Sequence, residues 1–202
     1  MSQQHWEKIY ENKTPDQMSW TQDEYTSSLQ LLQSINADKN SKIIDVGGGD
    51  GNFVKRLLEL GYQDITVLNI SKTAIENAKK NLGKDASKIK WIVSDIKQFQ
   101  PTETYDIWHD RATFHFLTTE KDIQTYINLL KNNLKGNLII GTFSTNGPLK
   151  CSGLDITQYS ENSMQHLLKN DFEKVECFTE DHTTPFDSTQ NFLFCNFKKI
   201  NS

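Results

Sequence analysis

The stretch Asp45-Val46-Gly47-Gly48-Gly49-Asp50-Gly51 is the first place where the residue types could do chemistry. Glycine tolerates positive φ and lets a ligand approach the backbone closely. Where such a turn opens a helix, it adds unpaired N–H groups and the positive end of a dipole. Gly47, Gly49 and Gly51 therefore describe a ligand-holding turn. Their spacing is G-x-G-x-G, which is not the G-x-G-x-x-G of dinucleotide sites, and no Walker lysine follows.

A second dense stretch is Trp108-His109-Asp110-Arg111-Ala112-Thr113-Phe114-His115-Phe116-Leu117. Histidine titrates near neutrality, so His109 or His115 could act as a general base. Asp110 could accept a hydrogen bond from a bound group. Arg111 could hold an acidic substrate, or pair with Asp110. A third stretch, residues 146–154, is a loop shaped by Gly147 and Pro148, with Cys151 as a candidate substrate contact. His182, Thr183, Thr184 and Pro185 form a weaker fourth group. None of these has metal-ligand spacing, so no metal is expected.

The elements that must position these residues follow from periodicity. Residues 43–46 read as a buried strand that stops at the glycines, and 65–68 as the next. Between them Phe53, Val54, Leu57, Leu58 and Leu60 recur at helical spacing. Ser71 caps a helix carrying Ala74, Ile75, Ala78 and Leu82. Residues 89–93 and 105–108 are the third and fourth strands. Ile123, Tyr126, Ile127, Leu130 and Leu134 mark a long amphipathic helix ended by Gly136, and 138–143 a fifth strand. Alternating strands and helices imply an α/β fold, a parallel sheet covered on both faces. Residues 172–178 and 192–197 lack a helix between them, which predicts an antiparallel C-terminal hairpin.

Before the first strand, residues 1–40 are polar with scattered aromatics: Trp6, Tyr10, Trp20 and Tyr25. The part from 23 to 35 is compatible with a helix. The expected organisation is one domain over 1–202, with 1–40 as a lid or helical segment and 41–202 as the core. A net charge of -4 over 202 residues argues against sequence-independent binding to nucleic acid. No apolar run approaches the roughly 20 residues of a membrane span, so no membrane partner is expected. The polar N-terminus lacks a signal-peptide core, which points to the cytoplasm. There Cys151, Cys177 and Cys195 would be free thiols.

On these residues the chain resembles the class I S-adenosylmethionine-dependent methyltransferases. The likeness rests on the glycine turn, on Val67-Leu68-Asn69-Ile70-Ser71, on Ser94-Asp95, and on Tyr105-Asp106-Ile107-Trp108-His109-Asp110-Arg111. It covers roughly residues 40–200. It implies a doubly wound three-layer sandwich with a mostly parallel seven-stranded sheet, and S-adenosyl-L-methionine as cofactor. Asp45, Gly47, Gly48 and Gly49 would face the methionine part. Asn69 and Ile70 would lie at the ribose, Ser94 and Asp95 at the adenine amino group, and Ile96 beside the ring. Asp110 would accept from the acceptor group or from the cofactor's ammonium, and the residues near it would line the methyl-transfer site, with His109 or His115 as base. Trp20, Arg111, Cys151 and His182 would touch the acceptor.

Asn69 departs from the family, where an acid usually accepts from both ribose hydroxyls; an amide oxygen accepts without charge assistance. The segment Asp-Arg-Ala-Thr-Phe is similar to its counterpart in thiopurine and related thiol methyltransferases. That implies a small-molecule acceptor, a thiol or related nucleophile. Some small protein lysine methyltransferases carry Asp-x-x-Thr-Phe there, which keeps a protein acceptor open. A non-catalytic cofactor-binding protein is a third reading. Oligomeric state is not legible.

Overall fold

The computed structural model of the chain describes residues 2–22 and 25–200. Five strands run parallel: β1 (Lys42–Val46), β2 (Asp64–Asn69), β3 (Ile89–Val93), β4 (Tyr105–Arg111) and β5 (Leu134–Phe143). The loop after β5 holds a small ribbon of β6 (Lys150–Cys151) and β7 (Leu154–Asp155). The chain ends in β8 (Phe172–Thr183) and β9 (Thr189–Lys199), an antiparallel pair. The main sheet has the order β3-β2-β1-β4-β5-β9-β8, so β9 inserts antiparallel beside β5. This is the doubly wound, mostly parallel sheet with the C-terminal hairpin that the sequence implies.

The helices are α1 (Gln3–Asn12), α2 (Thr26–Ser34), α3 (Asn52–Glu59), α4 (Lys72–Leu82), α5 (Glu120–Asn133) and α6 (Glu161–Leu168). The helix expected over 23–35 is α2; Asp23 and Glu24 lie outside the described residues.

Strand side chains alternate between faces. Ile43, Val67, Ile107 and Ile139 pack with Trp6 and Ile9 of α1, Leu31 and Leu32 of α2, and Phe53, Val54 and Leu57 of α3. Ile44, Val46, Trp108, Leu138 and Ile140 pack on the other face with Tyr126 and Leu130 of α5 and Met164 and Leu168 of α6. Ile43, Ile44 and Val46 are each no more than 1% exposed. Burying each is worth about 1.5–3 kcal/mol, which is why β1 reads as an unbroken apolar run.

Two expectations are corrected. Gly136 does not end α5. The helix stops at Asn133 and the chain enters β5 directly at Leu134. Gly136 sits in β5 because a Cβ there would meet the Asp106 carbonyl oxygen at 2.2 Å. The cysteines are not all free. Cys177 and Cys195 lie opposite one another in the β8–β9 register and form a disulfide, while Cys151 is free and buried. Pairing of residues 18 apart becomes visible only once the hairpin register is known.

Candidate active site

The carboxyl ends of β1, β2, β3 and β4 open into a cleft of about 650 Å³ including its mouth. Ligands of α/β sheets bind at this end. The turn after β1 builds its floor. Gly47, Gly49 and Gly51 have φ of 76°, 54° and 82°. Gly47 donates to the Leu68 carbonyl at 2.7 Å, tying the turn to β2. A Cβ on Gly47 would lie 1.9 Å from Thr113 Oγ1, so the close approach of the two segments requires glycine.

Around this floor stand Val46, Leu68, Asn69 and Ile70, then Ser94, Asp95 and Ile96 beyond β3. Asn69 is buried at the end of β2, and its Oδ1 accepts from the Ser71 N–H at 2.8 Å. Ser94 N–H donates to the Asn69 carbonyl, setting Asp95 at the far wall. Asp95 Oδ1 accepts from the Lys97 N–H at 3.0 Å.

Ala112, Thr113, Phe116, Arg111 and Cys151 form the opposite wall. Ala112 has φ 67°, rare for a residue with a Cβ, and turns the chain sharply out of β4. Asp110 fixes that turn. Its Oδ1 accepts from the N–H groups of Thr113 (3.0 Å) and Phe114 (3.1 Å). Its Oδ2 accepts from the Tyr126 hydroxyl at 2.7 Å, which itself accepts from Trp108 Nε1. Burial raises the Asp110 carboxyl to about 6, against the pull of these hydrogen bonds.

The N-terminal segment supplies the roof: Trp6, Tyr10 and Trp20 line the cleft. Trp6 meets Trp20 and Phe116 edge-on, with centroids 5.8 and 5.1 Å apart. Glu7 pins α1 in place. Its carboxylate accepts from the N–H groups of Lys72 (2.7 Å) and Thr73 (3.0 Å) and from the Ser71 hydroxyl (2.8 Å). The contact sits on the N-terminal turn of α4, where negative charge is favoured. Partial burial works against the charge, but these bonds prevail and hold Glu7 at about 2.

The structure brings Gly47, Asn69, Ile70, Ser94, Asp95 and Ile96 to one cleft, with Trp20, Arg111 and Cys151 on its walls. Gly48 and Gly49 lie in the same turn. Asp45 is just beneath it, its Oδ2 next to Gly48.

His109, Asp110 and His115, expected at the methyl-transfer site, do not line the cleft. Asp110 is turned toward α5, fully buried in the network above. His109 points to the opposite face. Its Nδ1–H donates to Asp45 Oδ1 at 2.7 Å, Nε2 bonds the Ser28 hydroxyl at 2.9 Å, and its ring stacks on Phe53. His115 accepts from the Phe143 N–H and stacks on the Phe143 ring; burial, then the Arg111 charge, lowers it to about 3. His182 is also elsewhere. It donates to the Ser19 carbonyl at 2.7 Å and accepts from Gln22, strapping the N-terminal segment to β8.

Sequence reasoning missed Glu7, whose partners are more than 60 positions away. The wall position of Thr113 was signalled only by the glycine it faces.

A methyltransferase-domain family model matches residues 37–191, three quarters of the chain. A malonyl-[acyl-carrier protein] O-methyltransferase of Anoxybacillus flavithermus is 38% identical over 104 residues, 50% of this chain and 38% of that protein. The aligned region thus spans well under two thirds of that relative. Among solved structures, an N-methyltransferase, NodS of Bradyrhizobium japonicum, in complex with S-adenosyl-L-homocysteine, aligns with a TM-score of 0.77 at 21% identity, covering 98% of both chains. A structure concerned with converting a disulfide bond into a thioacetal group during echinomycin biosynthesis aligns at 0.79 and 16% identity, over 100% of this chain and 94% of that one. The chain belongs to the methyltransferase-domain family, of the class I S-adenosylmethionine-dependent kind.

The cleft fits that cofactor. A glycine wall without room for a side chain lies at one end, and the Asp95 carboxylate beside Ile96 at the other. Asp45 Oδ2, buried under the turn, has no hydrogen-bond partner among the described residues.

Proposed function

We propose that the chain transfers a methyl group from S-adenosylmethionine to a small-molecule acceptor held under the N-terminal segment. The single observation that carries this reading is that the N-terminal segment roofs the cleft. Trp6, Tyr10 and Trp20 roof it, and Glu7 and His182 hold that roof from two sides. A small acceptor suits an enclosed pocket, whereas a protein side chain needs an open groove.

The sulfonium supplies an activated methyl group when bound. The chain's own residues have to hold, orient and exclude water. In this reading Gly47, Gly48 and Gly49 offer backbone to the methionine part, with Asp45 beneath. Asn69 and Ile70 border the ribose, Asp95 accepts from the adenine amino group, and Ser94 and Ile96 flank it. Trp20, Arg111 and Cys151 border the acceptor. His109, Asp110 and His115 act through position: His109 fixes Asp45, Asp110 fixes the Thr113 turn, and His115 packs behind Phe116.

Two further wall groups are held protonated at neutral pH. Burial pushes the Cys151 thiol up to about 11 and the Tyr10 phenol well above its usual value. Protonated, they can donate a hydrogen bond to an acceptor but do not take its proton. Alignment alone contributes many kcal/mol to such a displacement.

No described helix is long and apolar enough to cross a membrane. A cytoplasmic location belongs to this proposal. The test is an acceptor panel of small acids, thiols and amines beside a protein fraction, read by S-adenosylhomocysteine release. Turnover confined to the protein fraction would replace the small-molecule reading with a protein acceptor.

A further inference from the structure

Arg111 is a buried cation that forms no ion pair among the described residues, although Glu180 and Asp50 lie near enough to attract it. It ends β4, is only 8% exposed, and stands on the cleft wall. Nη1 donates to the Trp20 carbonyl at 2.8 Å. Nε and Nη2 are buried and have no hydrogen-bond partner among the described residues. The guanidinium lies over the Phe192 ring at 4.9 Å and near the Tyr25 ring at 5.6 Å. Ring faces attract a cation but do not satisfy N–H donors. Glu180 on β8 accepts from the Ser27 hydroxyl and forms no ion pair with Arg111. A buried cation with two idle donors is costly unless something pairs with it. A carboxylate matches the planar donor fork of arginine in both charge and shape.

We infer that Arg111 is the anchor for a carboxylate on the methyl acceptor, so that the enzyme's substrates are organic acids with an apolar body. This rests on the methyltransferase reading and names the substrate class for the same cleft. Two observations assign the anion to the acceptor rather than to the donor. The sheet order puts the glycine turn, Asn69 and Asp95 along β1, β2 and β3. Arg111 instead reaches past β4 toward Phe192 of β9 and packs among residues of the roof. The wall around it is apolar and aromatic: Trp6, Trp20, Ala112 and Phe116, with Cys151. That lining accepts the body of an aryl or alkyl acid while the guanidinium takes its charge.

The experiment uses the full chain saturated with S-adenosylhomocysteine. Phenylacetate and its neutral counterpart phenylacetamide are titrated, with binding read by quenching of tryptophan fluorescence, since Trp6 and Trp20 line the cleft. The expected result is at least tenfold tighter binding of the acid. In Arg111→Met the preference falls to near one, while S-adenosylhomocysteine affinity stays within about twofold. Arg111→Lys, which keeps the charge but loses the fork, retains part of the preference. Equal binding of acid and amide by the wild type, or binding of neither, overturns the inference whether or not the variants fold. So does an Arg111→Met variant that keeps the acid preference but loses S-adenosylhomocysteine affinity tenfold, which would give Arg111 to the donor's own carboxylate. If wild type fails to bind S-adenosylhomocysteine at all, the broader methyltransferase reading fails instead.

Discussion

Gly47→Ala perturbs the cleft floor through a single added carbon. Two costs combine. Gly47 has φ 76°, and placing a residue with a Cβ in the left-handed region costs about 1 kcal/mol. The new Cβ would also stand 1.9 Å from Thr113 Oγ1 and 3.3 Å from Thr113 Cβ. Thr113 cannot easily swing away. Its side chain is β-branched and stiff, its hydroxyl donates to the Val46 carbonyl, and its N–H is held by Asp110. Such overpacking costs about 1–3 kcal/mol. The expected total is about 2–4 kcal/mol. Urea unfolding of wild type, Gly47→Ala, Thr113→Ala and the double variant measures it. Thr113→Ala removes the clashing oxygen, so the double variant should recover about 1–2 kcal/mol relative to additivity, with the backbone cost remaining. A Gly47→Ala cost below about 0.5 kcal/mol, or strict additivity, would refute this reasoning.

Three more outcomes follow from the same contacts. Glu7→Gln removes the charge from the α4 N-terminus, a contact of about 0.3–1 kcal/mol at exposed sites; α1 amides should exchange faster with solvent, and unchanged protection would sink the latch. Because Glu7 is held near 2 rather than its usual 4.5, its contribution is complete above pH 4.5 and disappears as pH falls toward 2. Asn69→Asp, which puts an ionised acceptor at the cleft wall, should tighten S-adenosylmethionine binding several-fold by calorimetry, and unchanged affinity removes Asn69 from the ribose site. Asp110 has the opposite sign to Glu7: with its pKa raised from 3.8 to about 6, the folded state holds a proton that the unfolded state releases. The stability of wild type relative to Asp110→Asn should therefore rise by about 2 kcal/mol as pH falls from 7 to 4.5. A pH-independent difference between the two proteins' urea midpoints contradicts that.

The strands and the glycine turn were legible because both are local signals. A β-branched run that stops at Gly47 needs no knowledge of the rest of the chain. The β5 boundary was not, because the reason for Gly136 is the Asp106 carbonyl on a neighbouring strand. His109 and Asp110 are neighbours in one cluster of the sequence, yet adjacent strand residues face opposite ways. That alternation was available in the sequence: Ile107, His109 and Arg111 share one face, Trp108 and Asp110 the other. It already meant that His109 and Asp110 point to opposite sides of the sheet. Glu7, His182 and the Cys177–Cys195 pair depend on contacts that only the folded chain brings together. What the sequence could not supply was long-range contact: which distant residues pin the roof and which cysteines meet across the hairpin.

The most direct test of the central claim is a calorimetric titration of the purified chain with S-adenosylmethionine, S-adenosylhomocysteine and NADH in turn. The cleft described here predicts one site per chain for each sulfur compound, weakened by Asp95→Ala and by Gly47→Ala, and no heat from NADH. Binding of NADH without binding of either sulfur compound would contradict it.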